Sequence, residues 1–323
     1  MTPGPALDIA PMVSIEGAEA HPKSHLFLTT VLSDMDVSVA DWIRHRVDGA
    51  GELMPRQEVI PPDMSREEYG QLVTELMEES KVVAKIVALG RAGYEVKATG
   101  EGARVESLLP GTTAGGILQE GDVVVAAEGQ QIQTATDLVN LVRRQKPGST
   151  VSLSVQRAGD AFEARVATKE SDSEPGIAVI GILIKTHNFG HSLPLRIDID
   201  SQNIGGPSAG LMFTLAIIDA LDADGLAPGH TVAGTGTMSL DGTVGPVGGV
   251  AQKVVGAEDA GAEYFLAPAD NVEAAKGAAK RVKVVRVDTV DDAIQFLRTL
   301  KRPAASASVP FSSHRADTMV PAA

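Results

Sequence analysis

The chain has 323 residues, a formal net charge of −14 and no cysteine. That length predicts roughly two domains at about 150 residues each. The acidic balance argues against the clustered Lys and Arg of a nucleic-acid-binding surface and against docking on anionic lipid. The missing cysteine excludes disulfides, thiolate metal sites and cysteine nucleophiles.

No run is apolar for long enough to span a bilayer. The N-terminus, MTPGPALDIAPMVSIEG, has neither the basic nor the apolar region of a signal peptide, so the chain as given reads as soluble. Residues 1–24 contain Pro and Gly and read as irregular. His25–Val31 reads as a strand, Val37–Val47 as a short helix around Trp42, and residues 48–64 as a Pro-rich loop. Ser65 and Glu68 have the spacing of a capping box. A long helical pattern follows, with Met77, Val82, Val83, Ile86 and Val87 at helical spacing and Gly93 as its C-cap.

From Gly102 to about Thr168 the chain turns β-rich. Ala103–Leu109 and Val123–Ala127 are strands, Thr134 or Thr136 caps a helix over Asp137–Arg144, and two strands follow around the turn Arg157–Asp160. Leu108–Ala114 reads L-x-P-G-x-x-A, Leu118–Val124 reads L-x-x-G-D-x-V, and Thr134–Leu138 reads T-x-x-D-L. That order resembles a PDZ domain of the bacterial protease type. PDZ domains bind C-terminal peptides by adding a strand to a sheet edge. The resemblance places the carboxylate-binding loop near Thr99–Ala103. Without it, the segment reads as a spacer. Ser171–Pro175 is a polar linker, Ile177–Ile184 and Leu195–Ile199 are strands, and the Pro-, Ala- and Ser-rich residues 303–323 read as a disordered tail.

Gly205-Gly206-Pro207-Ser208-Ala209-Gly210 precedes the apolar run Leu211–Leu221. The glycines permit unusual dihedrals, Pro207 suits a first helical turn, and the run is apolar nearly all round, which predicts a buried helix. Ser208 then stands where free N–H groups and the helix dipole favour a developing negative charge. Taken alone, it reads first as an N-cap.

A second helix is expected from Val250 to Gly261, and Lys253 falls on its apolar face with Val250, Val254 and Ala257. Burial disfavours an ammonium, and a neutral amine can take a serine proton, as in a Ser–Lys dyad. An isolated lysine there reads instead as snorkelling to water.

Together, Gly-Pro-Ser-Ala-Gly before an apolar helix, then Thr235-Gly236, then Val247-Gly248-Gly249 followed by Lys253, resemble the proteolytic domain of Lon proteases. The resemblance maps the nucleophile to Ser208, the lysine to Lys253, and the family threonine near the dyad to Thr235. Two departures stand out. ATP-dependent Lons carry an acidic residue where this chain has Gly205, and E-K where it has Gln252-Lys253. The order from about Ala10 to Leu300 fits a second branch, Lon-like proteases with a PDZ domain and no ATPase, and no G-x-x-x-x-G-K-[ST] loop occurs.

The expected fold is multi-domain α/β: an N-terminal α/β segment (1–92), a β-rich PDZ domain (93–170), an α+β Lon-type proteolytic domain (171–302) and a tail (303–323). The expected function is a serine endopeptidase acting on protein or peptide substrates. Its PDZ domain is expected to bind C-terminal peptides and to recruit or gate substrate. No cofactor or metal is expected. By resemblance, a homo-oligomeric ring and an extracytoplasmic full form anchored by an N-terminal helix are implied.

Three other readings compete. Gly206-x-Ser208-x-Gly210 also satisfies the hydrolase nucleophile elbow, with His230 and His314 as the downstream histidines. His187 and His191 stand four apart but lack the acidic partner of a metal motif, and read as loop residues. A PDZ scaffold on a silent Lon fold would have no chemical need for a lysine on an apolar face.

Overall fold

The structure is a computed structural model that describes residues 1–16, 24–32, 60, 65–171, 176–202 and 204–300. The helix expected over Val37–Val47, most of the loop 48–64, linker residues 172–175 and the tail lie outside the described residues.

Strands β1 (Thr2–Asp8), β2 (Val13–Ile15) and β3 (His25–Leu32) precede helix α1 (Arg66–Arg91). Then come β4 (Lys97–Thr99), β5 (Ala103–Leu108), β6 (Val123–Ala127), β7 (Gln130–Gln131) and helix α2 (Ala135–Arg143). Next are β8 (Thr150–Arg157), β9 (Asp160–Ala167), β10 (Lys169–Glu170), β11 (Ala178–Val179), β12 (Ile182–Thr186), β13 (Gly190–Ser192) and β14 (Ile197–Ile199). Helix α3 (Gly210–Leu221) leads to β15 (Thr231–Gly234), β16 (Thr237–Met238), β17 (Val244–Gly245) and helix α4 (Val250–Asp259). The described chain closes with β18 (Tyr264–Pro268), α5 (Val272–Ala278), β19 (Lys283–Val287) and α6 (Val290–Thr299).

The main body is built on a sheet of order β1-β3-β15-β18-β19, in which β3, β15, β18 and β19 run parallel and β1 is antiparallel to β3. Parallel neighbours need crossovers, which α4 and α5 supply. Alternation along the strands serves both faces. Leu28, Val232 and Leu266 pack with α1 and α3, while Ala233, Phe265 and Ala267 pack with α4 and α5. Helix α3 is the buried centre, with Leu211, Met212, Phe213, Leu215 and Ile217 fully enclosed.

The N-terminus departs from expectation, because most of residues 2–15 are strand. Proline lacks the N–H a central strand would use, but β1 is an edge strand with a register shift between Pro3 and Ala6. The capping box at Ser65 and Glu68 forms. Gly93 (φ +88°) ends α1 with the Tyr94 N–H on Leu89 O at 3.0 Å. Thr134, rather than Thr136, caps α2.

The β-rich module is a sheet of order β12-β5-β6-β8-β9, with β7 on β6 and α2 packed into its own core. The strand expected over Ile177–Ile184 is interrupted at Ile180-Gly181, where Gly181 has φ +72°. Its second half, β12, pairs with β5, and Ile180 and Ile184 join the module core. The module therefore runs past residue 170. Residues 1–92 do not form a separate unit either, since β1, β3 and α1 belong to the main body. The module is inserted between α1 and β14, with β4 and β13 paired at the junction. Among the described residues no helix is long and apolar enough to cross a membrane.

Candidate active site

Ser208 lies half-buried in a 3-10 turn (Pro207–Ala209) that runs into α3. Gly206 before it has φ +83°, a conformation that favours glycine. The loop rests on α1: the Gly206 N–H donates to Val73 O at 3.0 Å, and Ser80 Oγ donates to Pro207 O at 3.1 Å. A Cβ at Gly205 would overlap Val73 Cγ1 of α1.

Lys253 sits on α4, whose N-cap Gly249 has φ +65°. It is only 2% exposed, and Nζ donates to Thr235 Oγ1 at 2.9 Å. The snorkelling geometry is therefore not the one adopted. Thr235, 1% exposed, donates its own proton to Ser208 O at 3.1 Å. The Gly236 N–H reaches the same carbonyl at 2.9 Å, and Gly236 O accepts the Leu211 N–H at 3.1 Å. Thr235 follows the carboxyl end of β15, the edge of a parallel sheet where sites commonly form. The three residues singled out in the sequence thus converge: Thr235 holds the Lys253 amine on one side and the Ser208 backbone on the other.

Two supporting residues escaped sequence reasoning. Asn271, 3% exposed, accepts the Val247 N–H at 2.8 Å and donates to Val247 O at 3.0 Å. This clamps the loop that starts α4, and no local pattern signals it. Ser80 did leave a signal, a hydroxyl within the apolar series Met77, Ala84 and Val87 at helical spacing.

His230 meets Glu263 at 3.1 Å at the start of β15. An extended chain from there to Thr235 spans roughly 16 Å, so the elbow's histidine is remote from Ser208. His314 lies outside the described residues. His187 follows β12 and His191 lies in β13. Among the described residues no three or more His, Cys, Asp or Glu stand together to hold a metal.

The inserted module carries an apolar groove of about 200 Å³ between α2 and β11–β12, lined by Leu138, Val139, Val142, Ile180, Ile182 and Ile184. Strand β12 ends its sheet, leaving its outer edge without a strand partner among the described residues. The segment Thr99–Ala103 does not border this groove. A Cβ at Gly102 would lie 2.5 Å from Val124 O and one at Gly100 would overlap Gln133 O, so both glycines are packed closely against neighbouring backbone.

Residues 200–299 match the family model of the Lon protease (S16) C-terminal proteolytic domain, and residues 90–168 match that of the PDZ domain. A Lon protease of Metamycoplasma arthritidis is 34% identical over 119 residues, covering 35% of this chain and 14% of that protein. A Lon protease of Azospirillum brasilense is 25% identical over 219 residues, covering 67% of this chain and 27% of that protein. The PDZ domain of an SdrC-like protein from Listeria innocua is 27% identical, with a TM-score of 0.25, covering 28% of this chain and 99% of that one. The chain therefore spans only a minor share of the length of these Lon proteases.

Proposed function

For a chain that carries a PDZ domain and a Lon-type proteolytic domain, we propose that it is a serine endopeptidase working through a Ser208–Lys253 dyad. The supporting observation is the chain of contacts from Lys253 Nζ through Thr235 Oγ1 to the Ser208 carbonyl, in a site where the lysine is 2% exposed. Burial disfavours the ammonium form, which readies the amine as a base. Ser208 Oγ attacks the scissile carbonyl carbon while its proton passes to Lys253 Nζ. Backbone N–H groups around Ser208 receive the developing oxyanion. The C–N bond breaks as the leaving amine takes the proton from Lys253 Nζ. Lys253 Nζ then deprotonates a water that attacks the acyl carbon, and the Oγ–C bond breaks as the proton returns from Lys253 to Ser208 Oγ. Thr235 positions the lysine. The groove beside β12 takes an extended peptide as an added strand and so recruits or gates protein substrates.

The test is hydrolysis of casein without ATP by the wild type, Ser208→Ala and Lys253→Ala. Cleavage by the wild type and loss in both folded variants is the expected result. Full activity in Lys253→Ala would remove the lysine from the mechanism. An inert wild type whose module still binds peptide would favour the scaffold reading.

A further inference from the structure

Helix α2 has two working faces. Leu138, Val139 and Val142 line the groove. Asn140 lies roughly opposite them at 100° per residue and is 3% exposed. It points across the domain boundary to the hairpin β16–β17. Its Nδ2 donates to Ser239 Oγ at 3.0 Å, and its Oδ1 accepts from Thr237 Oγ1 at 3.4 Å. Gly245 of β17, the register partner of Thr237, forms the cradle, since a Cβ there would overlap Asn140 Oδ1. Thr237 directly follows Gly236, whose N–H holds the Ser208 carbonyl, and Thr235, which holds the Lys253 amine.

The other wall of the groove reaches the same centre. Thr186, the last residue of β12, accepts the Ala135 N–H of α2 at 2.9 Å and donates to Glu79 of α1. Ser80, the next residue of α1, holds Pro207 O. The two walls thus end on the two sides of the Ser208 turn.

We propose that Asn140 is a positioning residue of the catalytic site, and that a peptide bound between α2 and β12 acts on Ser208, Thr235 and Lys253 through its contact with the β16–β17 hairpin. This rests on the peptidase reading above. The groove and the proposed catalytic centre share one helix, so an occupant that displaces α2 moves Asn140 against Gly245 and Thr237 of the hairpin.

The experiment uses the full chain and a fluorescein-labelled decapeptide ending in leucine-valine with a free carboxylate. Amide hydrogen exchange over residues 231–245 and hydrolysis of a short quenched peptide are measured with and without it, in wild type, Asn140→Ala and Gly245→Ala. In the wild type, the decapeptide is expected to alter exchange over 231–245 and to change kcat about fivefold at unchanged KM. Asn140→Ala is expected to bind the decapeptide as the wild type does, to have a lower basal kcat at unchanged KM, and to lose both responses. Gly245→Ala, which evicts the same side chain from the other direction, is expected to behave likewise. If either variant fails to fold, Asn140→Asp, which keeps the shape and loses the donor to Ser239, takes its place. A variant that keeps both responses overturns the proposal, as does a decapeptide that fails to bind at millimolar concentration or binds without effect on exchange. A wild type without peptidase activity whose exchange still responds refutes the peptidase reading alone and upholds the coupling.

Discussion

Replacing Thr235 with valine tests the proposed catalytic arrangement at its narrowest point, because the substitution keeps the side-chain shape and removes one oxygen. That oxygen makes two hydrogen bonds, accepting from Lys253 Nζ at 2.9 Å and donating to Ser208 O at 3.1 Å. The second loss is cushioned, since Ser208 O keeps the Gly236 N–H at 2.9 Å. The cost therefore falls on the Lys253 amine, deprived of an acceptor in a site where it is 2% exposed. Removing one hydrogen-bond partner from a buried polar group costs about 1–3 kcal/mol. Carried into the transition state, that lowers kcat by roughly 5- to 150-fold. KM should stay near the wild-type value, because Thr235 is 1% exposed and offers substrate no surface. Thr235→Ser restores the oxygen and should recover most of the rate. Peptidase kinetics on a short quenched substrate, with circular dichroism to confirm folding, decide the matter. A Thr235→Val enzyme with kcat within about twofold of wild type would refute the assignment of Thr235 as the group that orients Lys253.

Other expectations follow from the same contacts. Gly205→Ala should lose about 1–3 kcal/mol by overpacking against Val73, and adding Val73→Ala should recover most of it in urea unfolding. Asn271→Ala strips both partners from the Val247 backbone and should cost about 2–5 kcal/mol in urea unfolding, with activity falling alongside. Burial pushes the Glu79 carboxyl up, against the hydrogen bond from Thr186. Its stabilising contribution is then complete below the unfolded-state pKa and lost as pH rises through the folded-state value. Glu79→Gln should flatten that decline in a urea-midpoint series. Asp122 has the opposite sign. Burial pushes its carboxyl up, but the hydrogen bonds from Arg157 and the Gln119 N–H outweigh this and hold it below its ordinary value. That contribution is present above the unfolded-state pKa and lost as pH falls through the folded-state value. Arg157→Met should therefore be destabilised at neutral pH by an amount that shrinks on acidification.

Much of this protein was fixed by neighbours in sequence. The capping boxes at Ser65–Glu68 and Thr134–Asp137 form because a cap and its third residue always meet across one helical turn. Lys253 shares a face with Val250 and Ala257 because helical spacing admits no other, while its burial rests on the contact with Thr235. The Gly-Pro-Ser-Ala-Gly turn likewise carries its backbone requirements within itself. Tertiary structure alone decided the rest. Residues 2–8 form a strand despite two prolines because the sheet offers them an edge, and edge position is not written in the segment. The PDZ module is inserted into the main body, a fact visible only once β3 pairs with β15 and β12 with β5. The groove lies beside β12, away from Thr99–Ala103, because the chain entering and forming β12 packs Ile180, Ile182 and Ile184 next to α2. Thr235, Asn140 and Asn271 gain their partners across 18, 97 to 99, and 24 residues of chain respectively. Local periodicity reports which face of an element is apolar, but the partner of a polar side chain on that face is chosen by the packing of elements distant in sequence.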